Sequence, residues 1–227
     1  VNLPRLALFD LDHTLIPFDS DYAWGEFTSG LGWTDPAEYK RQNDAFYNDY
    51  TAQTLDIHAH VRFSTAAMRQ QGPKRAVEAH ARYMQTIVRP RIVPAALELV
   101  AAHQRRGDMV VVVTAANAFV TRPIAQAFGV DELIAIELER DVRVGAAGWY
   151  TGEILGVPSF RDGKVTRVAS WLNDHGLDWD HVHSAFYSDS INDLPLLEKV
   201  LQPVATNPDA PLRRLALERG WRILELF

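Results

Sequence analysis

A chain of 227 residues, 47% hydrophobic and 23% charged, has the composition of an ordinary globular protein and the length for one core plus a smaller accessory unit. Its net charge of -6 argues against a nucleic-acid partner, which needs clustered Lys and Arg, while leaving room for small phosphorylated substrates. The absence of cysteine excludes disulfides, thiolate metal sites and cysteine nucleophiles. No apolar run approaches the ~20 residues of a membrane span. Val1 to Asp10 lacks the pattern of a signal peptide, so a cytoplasmic location with no membrane partner is expected.

Leu6 to Phe9 is a short apolar run stopped by Asp10, the pattern of a buried strand. From about Pro17 to Arg89 no strand pattern occurs. Aromatics such as Trp24, Phe46, Tyr50 and Tyr83 recur there, with breaks near Gly30–Gly32, Thr51–Thr54 and Gly72-Pro73. This segment reads as three or four helices whose aromatics mostly pack inward. Ala95–Arg106 reads as a helix between Pro94 and Gly107, and Met109–Val113 as a strand ending at Thr114. Phe119–Phe128 is a helix closed by Gly129, and Leu133–Leu138 a further strand. Arg140–Leu155, with Gly145, Gly148 and Gly152 among β-formers, suggests a hairpin excursion. Val165–His175 is a helix ending at Gly176, His183–Tyr187 a strand before Asp189, and Asp209–Arg219 a helix ending at Gly220. Leu201–Ala205 is a strand interrupted by Pro203. The alternation predicts an α/β fold, a Rossmann-like parallel sheet covered on both faces, with the helical segment inserted after the first strand.

Asp10 with Asp12, Thr114, and Asp189 with Asp193 all follow strand-like runs. In an open parallel sheet the carboxyl ends of the strands share one crevice, so these groups meet although far apart in sequence. Lys164 joins from the rim, at the start of a helix. A carboxylate can attack phosphorus and divide one hard displacement into two easier ones, and Asp10, ending the first strand, is the natural nucleophile. Asp12 can protonate the leaving alkoxide and then activate water. Asp10, Asp189 and Asp193 would repel one another without a cation, and an all-oxygen donor set fits Mg²⁺. The metal, Lys164, Thr114 and the backbone N–H groups of Leu11, Ala115 and Ala116 would neutralise a transferring phosphoryl group. Each residue alone has a plainer reading: Asp193 as a turn residue, Lys164 as a solvated lysine, Thr114 as a helix cap. Their joint placement at strand ends carries the inference.

With these residues the sequence closely resembles the haloacid dehalogenase superfamily. Phe9 to Leu15 matches its first motif, Asp-x-Asp-x-Thr, and Val110 to Thr114 its second, an apolar strand ending in Ser or Thr. Lys164 fits the third, and Asp189 to Asp193 the fourth, Asp-x-x-x-Asp with Asn192 before the last Asp. An insertion between the first two motifs resembles the helical cap (type C1) of the phosphoserine-phosphatase-like subfamily IB. The resemblance implies Asp10 as nucleophile, Asp12 as general acid/base, and Thr114 and Lys164 as phosphate binders. It implies Mg²⁺ held by Asp10, the backbone carbonyl of Asp12, and Asp189, with Asn192 and Asp193 in support. The implied reaction is hydrolysis of a small phosphomonoester through an aspartyl phosphate.

Two departures bear on the substrate. Ala115-Ala116-Asn117 follows Thr114 where phosphoserine phosphatases typically have glycines, and Ser190 stands where the fourth motif often has Gly. Ala115, Ala116 and Asn117 are expected near the substrate. Asp19 occupies the place of an acidic residue that reads a substrate amine in those enzymes, although Asp19-Ser20-Asp21 reads equally well as a helix start. Arg62 or Arg69 would be the partner of a substrate carboxylate, and histidinol phosphate or another phosphomonoester remains open. A phosphomutase or phosphotransferase would use the same motifs, and a non-catalytic phosphate-ligand binder is a further alternative. A receiver-type signalling module is disfavoured, because its phosphorylated Asp follows a later strand and it has no helical insertion. The expected organisation is a core of residues 1–16 with 90–227 and a cap of residues 17–89.

Overall fold

The computed structural model describes residues 3–143 and 148–227. Strand β1 (Arg5–Phe9) is followed by three helices, α1 (Ser20–Gly30), α2 (Pro36–Thr51) and α3 (Ile57–Tyr83). Each has an aspartate at its N-cap: Asp19 accepts from Tyr22 N–H, Asp35 from Glu38 N–H, and Asp56 from His58 and Ala59 N–H. Gly72 breaks α3 in two, at φ 79° and ψ 169°. A π-turn (Met84–Val88) and a 3-10 turn (Arg89–Arg91) return the chain to the sheet.

Then follow α4 (Pro94–Arg105), β2 (Met109–Asn117), α5 (Ala118–Ala127) and β3 (Leu133–Ile136). Strands β4 (Leu138–Asp141) and β5 (Trp149–Ile154) form a separate antiparallel hairpin. It lies against α3, where Trp149 Nε1 donates to the carbonyl of Arg69. Gly145, expected in its turn, lies outside the described residues. The chain ends with α6 (Asp162–Asp174), β6 (His183–Ser188), α7 (Leu194–Lys199), β7 (Gln202–Thr206), α8 (Ala210–Arg219) and β8 (Arg222–Leu224).

Six parallel strands stand in the order β3-β2-β1-β6-β7-β8. Leu6 and Leu8 of β1 pack with Val168, Leu172, Leu196 and Leu212 of α6, α7 and α8 on one face. Ala7 and Phe9 pack on the other, with Trp24, Tyr83, Val100 and Ile124 of the inserted helices, α4 and α5. Alternation along a strand covered on both faces gives the unbroken apolar run Leu6–Phe9. The chain leaves β1 for β2 on one side and later returns to β6 on the other, so a crevice opens at the carboxyl end of β1. Register then fixes the site: Phe9 is level with Val112 and with Tyr187, so Asp10 and Asp189, just beyond β1 and β6, and Thr114, within β2, stand at nearly one height.

Candidate active site

Asp10 continues the ladder by donating its N–H to the Tyr187 carbonyl at 2.9 Å, and its carboxylate points into the crevice. Lys164, almost wholly buried, donates to Asp10 Oδ1 at 2.8 Å and to Asp193 Oδ2 at 2.7 Å. Ser188 Oγ donates to the same Asp193 oxygen at 2.7 Å. The Thr14 hydroxyl lies 3.2 Å from Asp10 Oδ2 and 3.1 Å from Asp189 Oδ1, and accepts from Asp189 N–H at 3.0 Å. Asp12, on the same cavity, accepts from Ser20 N–H at 3.0 Å through its Oδ1. Thr114 is buried beside this cluster, its hydroxyl accepting from Ala116 N–H and its carbonyl receiving Ser159 Oγ–H.

Burial dominates the electrostatics. It pushes the Asp12 carboxyl well above its ordinary value, helped by the charges of Asp19 and Asp10. Burial, with Asp10 and Asp193 nearby, raises Asp189 in the same way. Asp193 is pushed up by burial to about 6, against the pull of Lys164. Burial alone would lower the Lys164 ammonium, but the two aspartates outweigh it and hold it above its ordinary value. One buried lysine thus serves two of three neighbouring carboxylates.

Among the described residues no three His, Cys, Asp or Glu side chains converge as a metal group. The donor set nonetheless fits a hard cation. Asp10 and Asp189 converge on the single Thr14 hydroxyl with charge in excess of what Lys164 neutralises, and all their donors are oxygen.

The cavity over Asp10 has a volume of about 50 Å³. Asp12, Asp19, Asp21, Thr114, Ala115, Ala116 and Asp189 line it, with Tyr50, Leu55, Ile57 and His60 from the inserted segment. Asp19 both caps α1 and faces this cavity. Asn117, expected against substrate, is buried behind the wall instead: it caps α5 through Val120 N–H and donates to Asp21 Oδ1 at 2.8 Å. Asn192, expected to support the Asp189 cluster, donates to the Tyr50 carbonyl at 3.0 Å and accepts from Arg161 Nε. The Arg161 guanidinium also donates to the Gln53 carbonyl, and the Tyr50 hydroxyl to Ser190 Oγ. The C-terminal end of α2 is in this way tied to the fourth motif. Arg62 and Arg69 are absent from the cavity wall; they bond to Glu153 and to the Thr151 carbonyl of the hairpin.

Sequence reasoning gave Ser188, at the head of the fourth motif, no role, and missed Asp21, Tyr50, His60 and Arg161 as site residues. Burial and the charge of Asp19 raise Asp21 to about 7. A helical spacing of polar and aromatic residues along α2 was the one available signal for Tyr50.

The model of the haloacid dehalogenase-like hydrolase family matches residues 7–198. The chain belongs to this family. Over 223 residues it is 41% identical to a histidinol-phosphatase of Neisseria meningitidis serogroup C (strain 8013), spanning 98% of this chain and 99% of that one. A crystal structure of a protein of unknown function from Bordetella pertussis Tohama I superposes with a TM-score of 0.92 at 44% identity, covering both chains fully. A phosphoserine phosphatase bearing an analogue of its phospho-aspartyl intermediate shares the fold, with a TM-score of 0.68 at 16% identity over 100% of this chain and 95% of that one. As a haloacid dehalogenase-like hydrolase with phosphatase relatives, the chain is a phosphoric monoester hydrolase.

Proposed function

We propose that this hydrolase uses Mg²⁺ and an aspartyl phosphate on Asp10 to dephosphorylate a small amino-alcohol phosphate that carries no carboxylate. The observation that carries the reading is the placing of two aspartates, two residues apart, in different surroundings. Asp10 pairs with Lys164, while Asp12, two residues on, is a carboxyl that burial and the charges of Asp19 and Asp10 push upward, the direction that suits a proton donor. In the first step an Asp10 oxygen bonds to phosphorus and the ester P–O bond breaks. Asp12 delivers its proton to the departing alkoxide. In the second step Asp12, now ionised, takes a proton from water, whose oxygen displaces Asp10 and releases phosphate. Lys164 and the N–H groups beside Thr114 bear on the phosphoryl oxygens. Mg²⁺, held by Asp10, Asp189 and the Asp12 carbonyl, would offset the charge on the transferring group.

The cavity wall supports the substrate class. Among the described residues it presents Asp19 and Asp21 and no Lys or Arg. An ammonium would be attracted there, whereas the carboxylate of phosphoserine would meet like charge. The Neisseria relative is named for histidinol phosphate, an amino-alcohol phosphate without a carboxylate. Residues 17–89 then act as a cap on a core of residues 1–16 and 90–227, hinged near Ile16-Pro17 and Arg89-Pro90. So small a cavity favours a cap that opens to admit substrate and excludes water when shut.

The test is phosphate release with Mg²⁺ from histidinol phosphate, phosphoethanolamine and phosphoserine, for wild type beside Asp10→Asn. Wild type should be active, with phosphoserine the poorest of the three, and Asp10→Asn should lose turnover by at least about a thousandfold. Undiminished turnover by Asp10→Asn would sink the nucleophile assignment, and a preference for phosphoserine would sink the substrate class.

A further inference from the structure

A second cavity, of about 40 Å³, adjoins the one over Asp10 and shares Asp19, Tyr50, Leu55 and His60 with it. Its far wall is one face of α2: Asn43, Phe46, Tyr47 and Tyr50 recur at the spacing i, i+3, i+4, i+7. Packing accounts for part of this face. Phe46 lies against Phe63 and meets His60 edge-on, with ring centroids 5.4 Å apart. It does not account for Tyr47, which is 38% exposed and, among the described residues, touches another ring only at Tyr22, with centroids 6.0 Å apart. Burial, then the charges of Asp19 and Asp189, push the Tyr47 hydroxyl above its usual value, which places this residue in the field of the site. His60 Nδ1 is buried and has no hydrogen-bond partner among the described residues. From Asp10 outward the joined cavities present a phosphoryl acceptor, then the Asp19 carboxylate, then an aromatic wall.

We propose that Tyr47 and Phe46, with His60 beside Phe46, form a shelf that selects a planar ring on the leaving alcohol, beyond the amine that Asp19 receives. The proposal rests on the hydrolase reading above and names the residues that set its specificity. An offset or edge-on ring contact contributes about 1 kcal/mol beyond area burial, and burial of the ring adds to it, so roughly a tenfold preference is expected.

The test measures kcat and KM on the full chain with Mg²⁺, for histidinol phosphate, phenylalaninol phosphate and phosphoethanolamine. Wild type should favour both ring-bearing substrates over phosphoethanolamine by about tenfold or more in kcat/KM. Tyr47→Ala should cut that ratio by about tenfold, and Tyr47→Phe, which keeps the ring, should hold it within about threefold of wild type. Because Tyr47 is part-exposed on a helix, Tyr47→Ala should fold. A ratio unchanged in Tyr47→Ala, or wild type with no preference for a ring, would overturn the shelf while leaving the hydrolase intact. No phosphate from any of the three or from acetyl phosphate would overturn the hydrolase reading and the shelf with it.

Discussion

Lys164 donates to Asp10 and Asp193 from almost complete burial, so removing its charge strands two carboxylates away from water. Lys164→Met keeps the length of the side chain and leaves that charge unopposed. It should lower stability at pH 7 by about 3 kcal/mol, read from urea midpoints, and reduce turnover by at least about a hundredfold. Asp21 makes a prediction of pH dependence. Its folded value, about 7, lies above the ordinary 3.8, so the folded chain keeps a proton that the unfolded chain releases. That contribution is complete below about pH 4 and is lost as pH rises through about 7. Asp21→Asn preserves the acceptor for Asn117 and cannot ionise. It should therefore raise the melting temperature by a few degrees at pH 8 and leave it nearly unchanged at pH 4. Equal shifts at both pH values would contradict the assignment.

The strands that carry Asp10, Thr114 and Asp189 were legible in the sequence because each is buried on both faces and ends at a polar residue. Helix ends were legible where Gly30, Gly129, Gly176 and Gly220 stand. Strand β8 was not, since Arg222–Leu224 is three residues long and only half-buried, too brief for a pattern to emerge. Strand β2 runs on to Asn117, past the point where Ala115 and Ala116 weaken the β signal. The same contrast holds within the site. Residues that follow strands were found, whereas Tyr50, His60 and Arg161 reach it only through the docking of helices on the sheet, which local sequence does not encode. Gly72 shows how far one legible break matters. Its φ of 79° and ψ of 169° belong to a region open mainly to glycine, and an added Cβ would meet nothing within 4 Å. Backbone strain alone then sets the cost, and Gly72→Ala should lower stability by about 1–2 kcal/mol in urea titrations.

Across the whole molecule, the proposed binding of Mg²⁺ among the carboxylates at the carboxyl end of β1 should make stability depend on that cation. A ligand bound only by the folded state at a hundred times its Kd adds about 2.7 kcal/mol. Millimolar Mg²⁺ should raise the melting temperature of wild type, and Asp189→Asn should lose most of that gain while remaining folded. A gain equal in both proteins would place the cation elsewhere. The end of α2 is bound to the core through Tyr50, Gln53, Asn192, Arg161 and Ser190, and the same helix carries Phe46 and Tyr47. On the reading proposed above, one helix would both grip the leaving group and bolt the chamber. A ligand that seats badly on that helix also weakens the bolt, so the penalty for a wrong substrate is levied twice, once on occupancy and once on the fraction of occupied molecules that are shut. The enzyme would then reject misfits at saturation as well as at low concentration, and Arg161→Ala, which loosens the bolt without touching the chamber wall, should blunt that rejection.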